Sequence, residues 1–205
     1  MRRREDSGRR PWAGCAAVAA AVAALGGMAA AGWFAWRLSR PGPRPVWRAA
    51  PVLTGLLAAQ AGRIDYADAW SAPIRDGEST DPAAWAGVLA ALPPPVQELM
   101  RLRDLLVRPL GLVAAGDGLP ETGFPLLAQT DREVVLGVDD KHLSFRVGIT
   151  TADARATITT TVTLSGLLGR PYWAVVRWFH PLVVRATLSQ ATRSNLGAGS
   201  EPPPG

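Results

Sequence analysis

The sequence predicts an α+β domain in which two short helices precede an antiparallel β-meander and one long helix follows it. Short apolar runs between residues 124 and 165 alternate with the period of strands, and no helical segment separates them. Before this region, and again from Pro171 to about Thr192, apolar residues recur three or four apart, which is typical of helices. Together these three observations predict the fold class.

The two short helices are marked by their end residues. Asp81 is a favourable N-cap and Pro82 suits the first helical position, so the first helix begins there and runs to about Leu92. Prolines at 93–95 break it, and the second helix is predicted from Val96 to about Val107.

The predicted sheet has an edge strand followed by the four strands of the meander. Asp65–Trp70 is the edge strand, and the meander comprises Phe124–Ala128, Glu133–Val138, Lys141–Thr150 and Ala156–Ser165, with turns at Thr130–Arg132, Asp139-Asp140 and Ala152–Arg155. In the third strand of the meander, apolar residues alternate with Ser144, Arg146 and Gly148, as in a half-buried strand. The alternating threonines of the last strand predict one exposed face.

The long C-terminal helix opens at Pro171 and carries Pro181 in its interior. Because proline has no backbone N–H, a kink is expected at that point. Residues 193–205 are predicted to be a disordered tail.

The N-terminal region predicts a membrane-spanning helix at Trp12–Trp36. Its 25 residues are uncharged, follow a basic tail at 1–11, and have tryptophans at both ends. Two alternatives remain open: a signal peptide cleaved after residues 29–31, or upstream sequence translated from a wrongly assigned start codon. Arginines on both sides of the span leave its orientation undecided.

Residues 37–63 are predicted to be a Pro-rich linker and a short apolar segment. Four prolines in residues 39–51 argue against any regular element there, whereas residues 52–61 are compatible with a short helix ending at Gly62. The folded domain is therefore expected to span residues 64–192.

The composition argues against several functional classes. Lys141 is the only lysine among 22 Lys and Arg residues, and five arginines lie in the first ten positions, so the net charge of +5 is mild within the body of the chain. No basic stripe with interleaved aromatic residues appears, and no nucleic-acid partner is expected. Cys15 is the only cysteine, which excludes an intramolecular disulfide and a cysteine zinc site.

Six blocks of sequence carry a resemblance to a known family: DYADAW (65–70), LMRLRDLLVRPLGL (99–112), GFPLL (123–127), EVVLGVDDKHLSFRV (133–147), TTTV (159–162) and GRPYWAVVRWFHPLVVR (169–185). Over about residues 64–192 the chain resembles domain-of-unknown-function family 2867. The resemblance implies a helix-grip-like fold, similar to START and polyketide-cyclase domains, in which an antiparallel sheet curls around a long C-terminal helix. It implies no catalytic residues.

In that family the domain occurs alone or at the C-terminus of short-chain dehydrogenase-like proteins. Here no Gly-rich dinucleotide fingerprint precedes it, so no nicotinamide cofactor, and no cofactor of any other kind, is expected.

Four residues are the candidate ligand contacts: His142, Arg146, His180 and Asp65. The first two share a hairpin with Asp139 and belong either to a polar binding site or to a turn with surface ion pairs. His180 precedes Pro181 and either lines a cavity at the helix kink or packs with a backbone hydrogen bond. Asp65 is either a general acid or a solvated acid of an edge strand. With only two histidines, no metal site is predicted.

Three functional hypotheses remain open at the level of sequence. The first is a membrane-anchored module that binds a small apolar molecule in a helix-grip cavity. The second is a cyclase- or isomerase-type enzyme that uses polar cavity residues. The third is an accessory domain that partners an oxidoreductase. A cavity of several hundred Å³ between sheet and last helix would favour the first two hypotheses.

Overall fold

The computed structural model of the chain describes residues 32–40, 42–53, 55–107, 124–167 and 169–193. The named elements of the fold are β1 (Trp47–Ala49), α1 (Gly55–Ala61), β2 (Tyr66–Pro73), α2 (Pro82–Ala90), α3 (Pro94–Val107), β3 (Leu126–Gln129), β4 (Glu133–Asp139), β5 (Leu143–Ala152), β6 (Arg155–Leu164) and α4 (Gly169–Ala191). They form an α+β fold with a long C-terminal helix, as predicted.

The chain divides into two units, residues 1–37 and 38–205, and the predicted membrane span lies in the first. Residues 32–37 of that unit are helical. None of the helices in the described ranges is both long and apolar enough to cross a bilayer. Three predicted regions lie wholly or mainly outside the described residues: the basic tail, residues 12–31 of the predicted span, and all but one residue of the C-terminal tail.

The sheet has six strands in the order β1-β2-β6-β5-β4-β3, and every neighbouring pair is antiparallel. The predicted meander is confirmed for β3 to β6. The tight turn between the last two of these strands places Asp153 and Ala154 at φ 50° and 54°, the positive values of a two-residue hairpin turn.

Two expectations about the opposite edge of the sheet are wrong. The segment 39–51 contains a regular element, because Trp47–Ala49 pairs with Ala69–Ser71 as β1. As a result β2 is not an edge strand, since β1 pairs on one side of it and β6 on the other. The prolines surround β1 rather than interrupt it, which is why so short a strand is possible.

Of the two predicted short helices, α2 begins where its capping residue predicts and α3 does not. The backbone N–H of Ala83 donates to Oδ1 of Asp81 at 2.9 Å, and Pro82 occupies the first turn of α2. α3 begins two residues earlier than predicted, at Pro94, because a proline is tolerated in the first turn, where its missing N–H has no helical partner.

One face of the sheet is covered by residues 52–63, including α1. The backbone N–H groups of Leu56 and Leu57 donate to the Glu133 carboxylate at 2.7 and 3.0 Å, which caps this helix from β4. A Cβ at Gly148 would lie 2.8 Å from a methyl carbon of Leu57, so glycine permits this close approach.

The threonine face of β6 is buried by the same segment, so its predicted exposure is wrong. Thr159 is only 2% exposed, and its Oγ1 accepts from the backbone N–H of Val52 at 3.1 Å. In a sequence, a polar strand face predicts exposure to solvent. Here the hydroxyl groups of that face form hydrogen bonds with the backbone of the segment that covers it.

The opposite face of the sheet packs against α2 and α4. Its main apolar cluster joins the sheet, α2 and the second half of α4 through residues that include Trp85, Ile149, Ile158, Val184, Leu188 and Ala191. A smaller cluster of Leu143, Val162 and Trp173 lies at the first half of α4. The polar groups described next lie beside this smaller cluster.

Candidate functional site

A buried carboxylate–imidazole pair lies between β2 and the first half of α4. Nε2 of His180 is 3.2 Å from Oδ1 of Asp68, and both side chains are almost completely excluded from solvent. An ionised carboxylate can only accept hydrogen bonds, so Nε2 carries the hydrogen and donates it.

Two neighbours of Asp68 on its own strand complete its hydrogen bonding. The hydroxyl of Tyr66 and the indole N–H of Trp70 donate to Oδ2 at 2.9 and 3.2 Å. Burial acts to raise the pKa of Asp68, but the hydrogen bonds from His180, Tyr66 and Trp70 outweigh it and the pKa is lowered. For Tyr66, burial and the adjacent Asp68 charge raise the pKa of the phenol.

Aromatic rings surround the imidazole of His180. The centroids of Tyr66, Phe145 and Trp173 lie 5.9, 6.1 and 5.7 Å from that of His180. Tyr66 and Trp173 also meet edge to face at 4.8 Å. The polar pair is thus enclosed by flat apolar surfaces from β2, β5 and α4.

A second histidine–carboxylate pair lies at the turn between β4 and β5. Nδ1 of His142 is 2.9 Å from Oδ2 of Asp140, at the distance of an ion pair but without the direction of a hydrogen bond. His142 is 2% exposed, and its Nε2 has no hydrogen-bond partner among the residues that the structure describes. The ring of Tyr172 from α4 stands perpendicular to the imidazole at 4.8 Å.

The surroundings of His142 favour its neutral form. Burial lowers the pKa of His142, the Asp140 carboxylate acts in the opposite direction, and Arg103 adds to the lowering. The nearby negative charge favours the neutral tautomer with its hydrogen on Nδ1, in which Nε2 is an acceptor. In that tautomer His142 is a buried acceptor to which none of the described residues donates.

Helix α3 contributes an arginine to the same region. Nε of Arg103 donates to the hydroxyl of Tyr172 at 2.8 Å, and its guanidinium carbon lies 5.7 Å from the centroid of that ring. Tyr172 therefore connects α3, α4 and the β4–β5 turn.

Of the four candidate residues, the structure places two in this layer and two elsewhere. His142 and His180 both lie between the sheet and α4. Tyr172, which contacts His142, is eight residues from His180 on α4, or about 12 Å along the helix axis. Arg146 lies on the α1 face, where its Nε donates to the carbonyl of Gln60 at 3.2 Å. Asp65 accepts from the guanidinium of Arg63 and from the backbone N–H of Leu164.

Asp68 is the residue whose importance the sequence analysis missed. It lies in the predicted edge strand and is not one of the four candidate residues, yet it is 2% exposed. The available signal was strand alternation, because Tyr66, Asp68 and Trp70 are two apart and share one face of β2. An acid between two aromatic residues on one face indicates an inward-pointing carboxylate.

Two further features describe what the structure offers to a ligand. Within the described ranges, no three His, Cys, Asp or Glu side chains are placed to hold a metal ion. An open polar depression of about 540 Å³ lies at the C-terminal end of α4, lined by residues that include Arg44, Arg75, Glu78 and Arg193. Its polar lining does not suit an apolar ligand, and the cavity expected between sheet and helix stays a prediction.

Comparison with known families identifies the domain. The family described as "Protein of unknown function (DUF2867)" matches residues 60–187, more than half of the chain. The chain belongs to this family. No curated protein and no solved structure matches the chain. The DUF2867 match contains both histidine pairs, and it begins after β1, within α1.

Proposed function

We propose that this DUF2867 domain binds a small, mostly apolar molecule between the sheet and the first half of α4, in a helix-grip arrangement. The observation that carries the proposal is Nε2 of His142, a buried atom for which the described residues supply no hydrogen-bond partner. Leaving such an atom unpaired costs about 1–3 kcal/mol, and a donor on a bound molecule would remove that cost. A hydroxyl or N–H group of the ligand would supply it.

The aromatic side chains beside His142 suit the apolar part of such a molecule. Tyr172, Phe145 and Trp173 present ring surfaces in the same layer. These rings are in contact with neighbouring side chains, so a ligand enters only if the first half of α4 moves away from the sheet. Pro181 supports this movement, because it removes one helical hydrogen bond between the two halves of the helix.

The test is native mass spectrometry of the full-length chain purified from cells. The wild-type chain is expected to carry a bound small molecule, and His142→Leu is expected to lose it. Arg132→Ala is the matched control, because that side chain is exposed at the β3–β4 turn. Circular dichroism of each variant checks that it is folded.

Two results would overturn the ligand proposal. One is a wild-type chain that carries no small molecule and gains no thermal stability from a library of apolar hydroxyl compounds. The other is a folded His142→Leu chain that retains the same molecule as the wild type.

A second candidate function is general-base catalysis on the bound molecule. The observation that favours it is the neutral His142 ring beside Asp140, since a neutral imidazole oriented by a carboxylate is a common general base. Incubating the identified ligand with the chain and comparing the mass of the released compound separates binding from turnover. An unchanged compound supports binding alone.

We also propose that Trp12–Trp36 anchors the chain in a membrane. The support is the uncharged 25-residue run with tryptophans at its ends. Membrane fractionation of the full chain and of a chain that lacks residues 1–40 tests this. A full-length chain that stays in the supernatant would contradict the anchor.

A further inference from the structure

The outward face of the first half of α4 combines arginines with large exposed apolar side chains. Trp178 is 71% exposed and Val175 is 63% exposed. Arg170 and Arg177 are also exposed. The whole helix, Gly169–Ala191, contains no Asp or Glu.

These four side chains lie on one side of the helix. At about 100° per residue, Arg177, Arg170, Trp178 and Val175 fall within an arc of about 160°. The buried His180 lies outside that arc, on the side that faces the sheet. The helix therefore has an inner face directed at the candidate site and an outer face of mixed cationic and apolar character.

We propose that this outer face of α4 rests on the headgroup layer of an anionic lipid bilayer. Tryptophan prefers that layer because its ring is apolar and its N–H is polar, and Val175 adds apolar area beside it. Arginines are attracted to anionic headgroups, and the absence of acids from α4 removes the opposing repulsion. The charge of the face selects an anionic surface.

The geometry of one residue pair also fits a lipid interface. The guanidinium carbon of Arg177 lies 5.6 Å from the ring of Trp178, so cation and ring are presented together. This contact is separate from the proposed Trp12–Trp36 anchor and does not require it. An anchor would assist, because the ten residues between Trp36 and Trp47 span at most about 35 Å.

A fluorescent label on α4 tests the contact in the full-length chain. Cys15→Ser removes the only cysteine, and Val175→Cys then accepts one environment-sensitive fluorophore. Mixing the labelled chain with phosphatidylserine–phosphatidylcholine vesicles is expected to shift the emission to shorter wavelength. Phosphatidylcholine vesicles are expected to give a smaller shift, and added NaCl is expected to weaken the response. The same label at Arg132→Cys is the control and should not shift.

The arginines are tested in the labelled chain by replacing Arg170 and Arg177 with glutamine. Each arginine is expected to contribute about fivefold to vesicle affinity, so the double variant should bind about twenty-five-fold more weakly. Three results would overturn the proposal. The first is the absence of a shift at position 175, even if the chain sediments with the vesicles. The second is an equal shift at the control label. The third is a shift that grows with protein concentration without vesicles, which would mean that a second copy covers this face.

Discussion

The two halves of α4 pack on the same sheet with different chemistry. The second half packs Val184, Leu188 and Ala191 into the main apolar cluster with Trp85 and other apolar side chains. The first half faces two histidine–carboxylate pairs and the aromatic rings around them. Pro181 lies at the boundary.

This difference divides the interface between α4 and the sheet into a part that stabilises the fold and a part with the polar groups of the candidate site. Apolar burial is favourable in itself, whereas burial of a histidine–carboxylate pair has a desolvation cost that the attraction within the pair only roughly offsets. The packing of the second half of α4 is therefore favourable in itself, and the first half is where we place the proposed binding site.

The largest expected effect comes from the apolar half. Leu188 is fully buried, and Leu188→Ala should lower the free energy of unfolding by about 2–5 kcal/mol through lost burial and a new cavity. Urea unfolding of the full chain measures this. Val175→Ala on the exposed face of the same helix is the control and should change the value by less than about 0.5 kcal/mol. A similar loss for both variants would remove the distinction between the faces.

The second effect comes from the polar half. Asp68→Ala removes the acceptor shared by His180, Tyr66 and Trp70, and should lower the free energy of unfolding by about 3 kcal/mol. His180→Phe keeps a ring in place and leaves the carboxylate with two donors, so its loss should be smaller. Urea unfolding at neutral pH ranks the two variants. The reverse order would show that the imidazole, not the carboxylate, holds this region together.

Much of the fold could be predicted because its signals are local. Alternation along β3 to β6, the Asp81-Pro82 start of α2 and the helical spacing of α4 each depend on neighbouring residues. The pairing of β1 with β2 joins residues that are 20 to 24 positions apart. Three residues among prolines give no alternation to detect.

The sequence predicted the two histidines of the candidate site but not its aspartate, Asp68. His142 is a candidate because charged residues surround it in the hairpin, and His180 because it precedes Pro181; both are buried in the same layer. Asp68 was not selected because most acids are solvated, and its burial depends on α4 from the far end of the chain. For the same reason the sequence could not show that Arg146 faces α1, a segment assigned to the linker.

A smaller effect concerns the pH dependence of the polar half. Folding lowers the pKa of His142, so the folded chain favours the neutral ring. The contribution of His142 to the free energy of unfolding is therefore complete above the pKa of the unfolded chain, about 6.5. It is lost as the pH falls toward the lower pKa of the folded chain. The unfolding free energy of the wild type should therefore decrease between about pH 7.5 and pH 5.5, and His142→Phe should flatten that decrease.

Urea unfolding at the two pH values checks this dependence. The carboxyl groups with lowered pKa values, such as Asp68, lose their contributions only at lower pH, so they do not interfere in this window. Leu188→Ala is the control, because it should shift both values equally. A wild-type chain with the same stability at both pH values would contradict a neutral, buried His142.

The smallest effect distinguishes the two faces of the sheet. Arg146 pairs with the mostly exposed Asp139 and donates to backbone carbonyls, so Arg146→Ala should lower the unfolding free energy by only about 1 kcal/mol. Arg146 lies on the α1 face of the sheet, whereas the preceding residue, Phe145, lies on the opposite face and contacts His180. The Arg146→Ala chain should therefore keep its bound molecule in native mass spectrometry. Loss of that molecule from a folded Arg146→Ala chain would move the binding site to the other side of the sheet, because a side chain on the α1 face can contact only a ligand bound there.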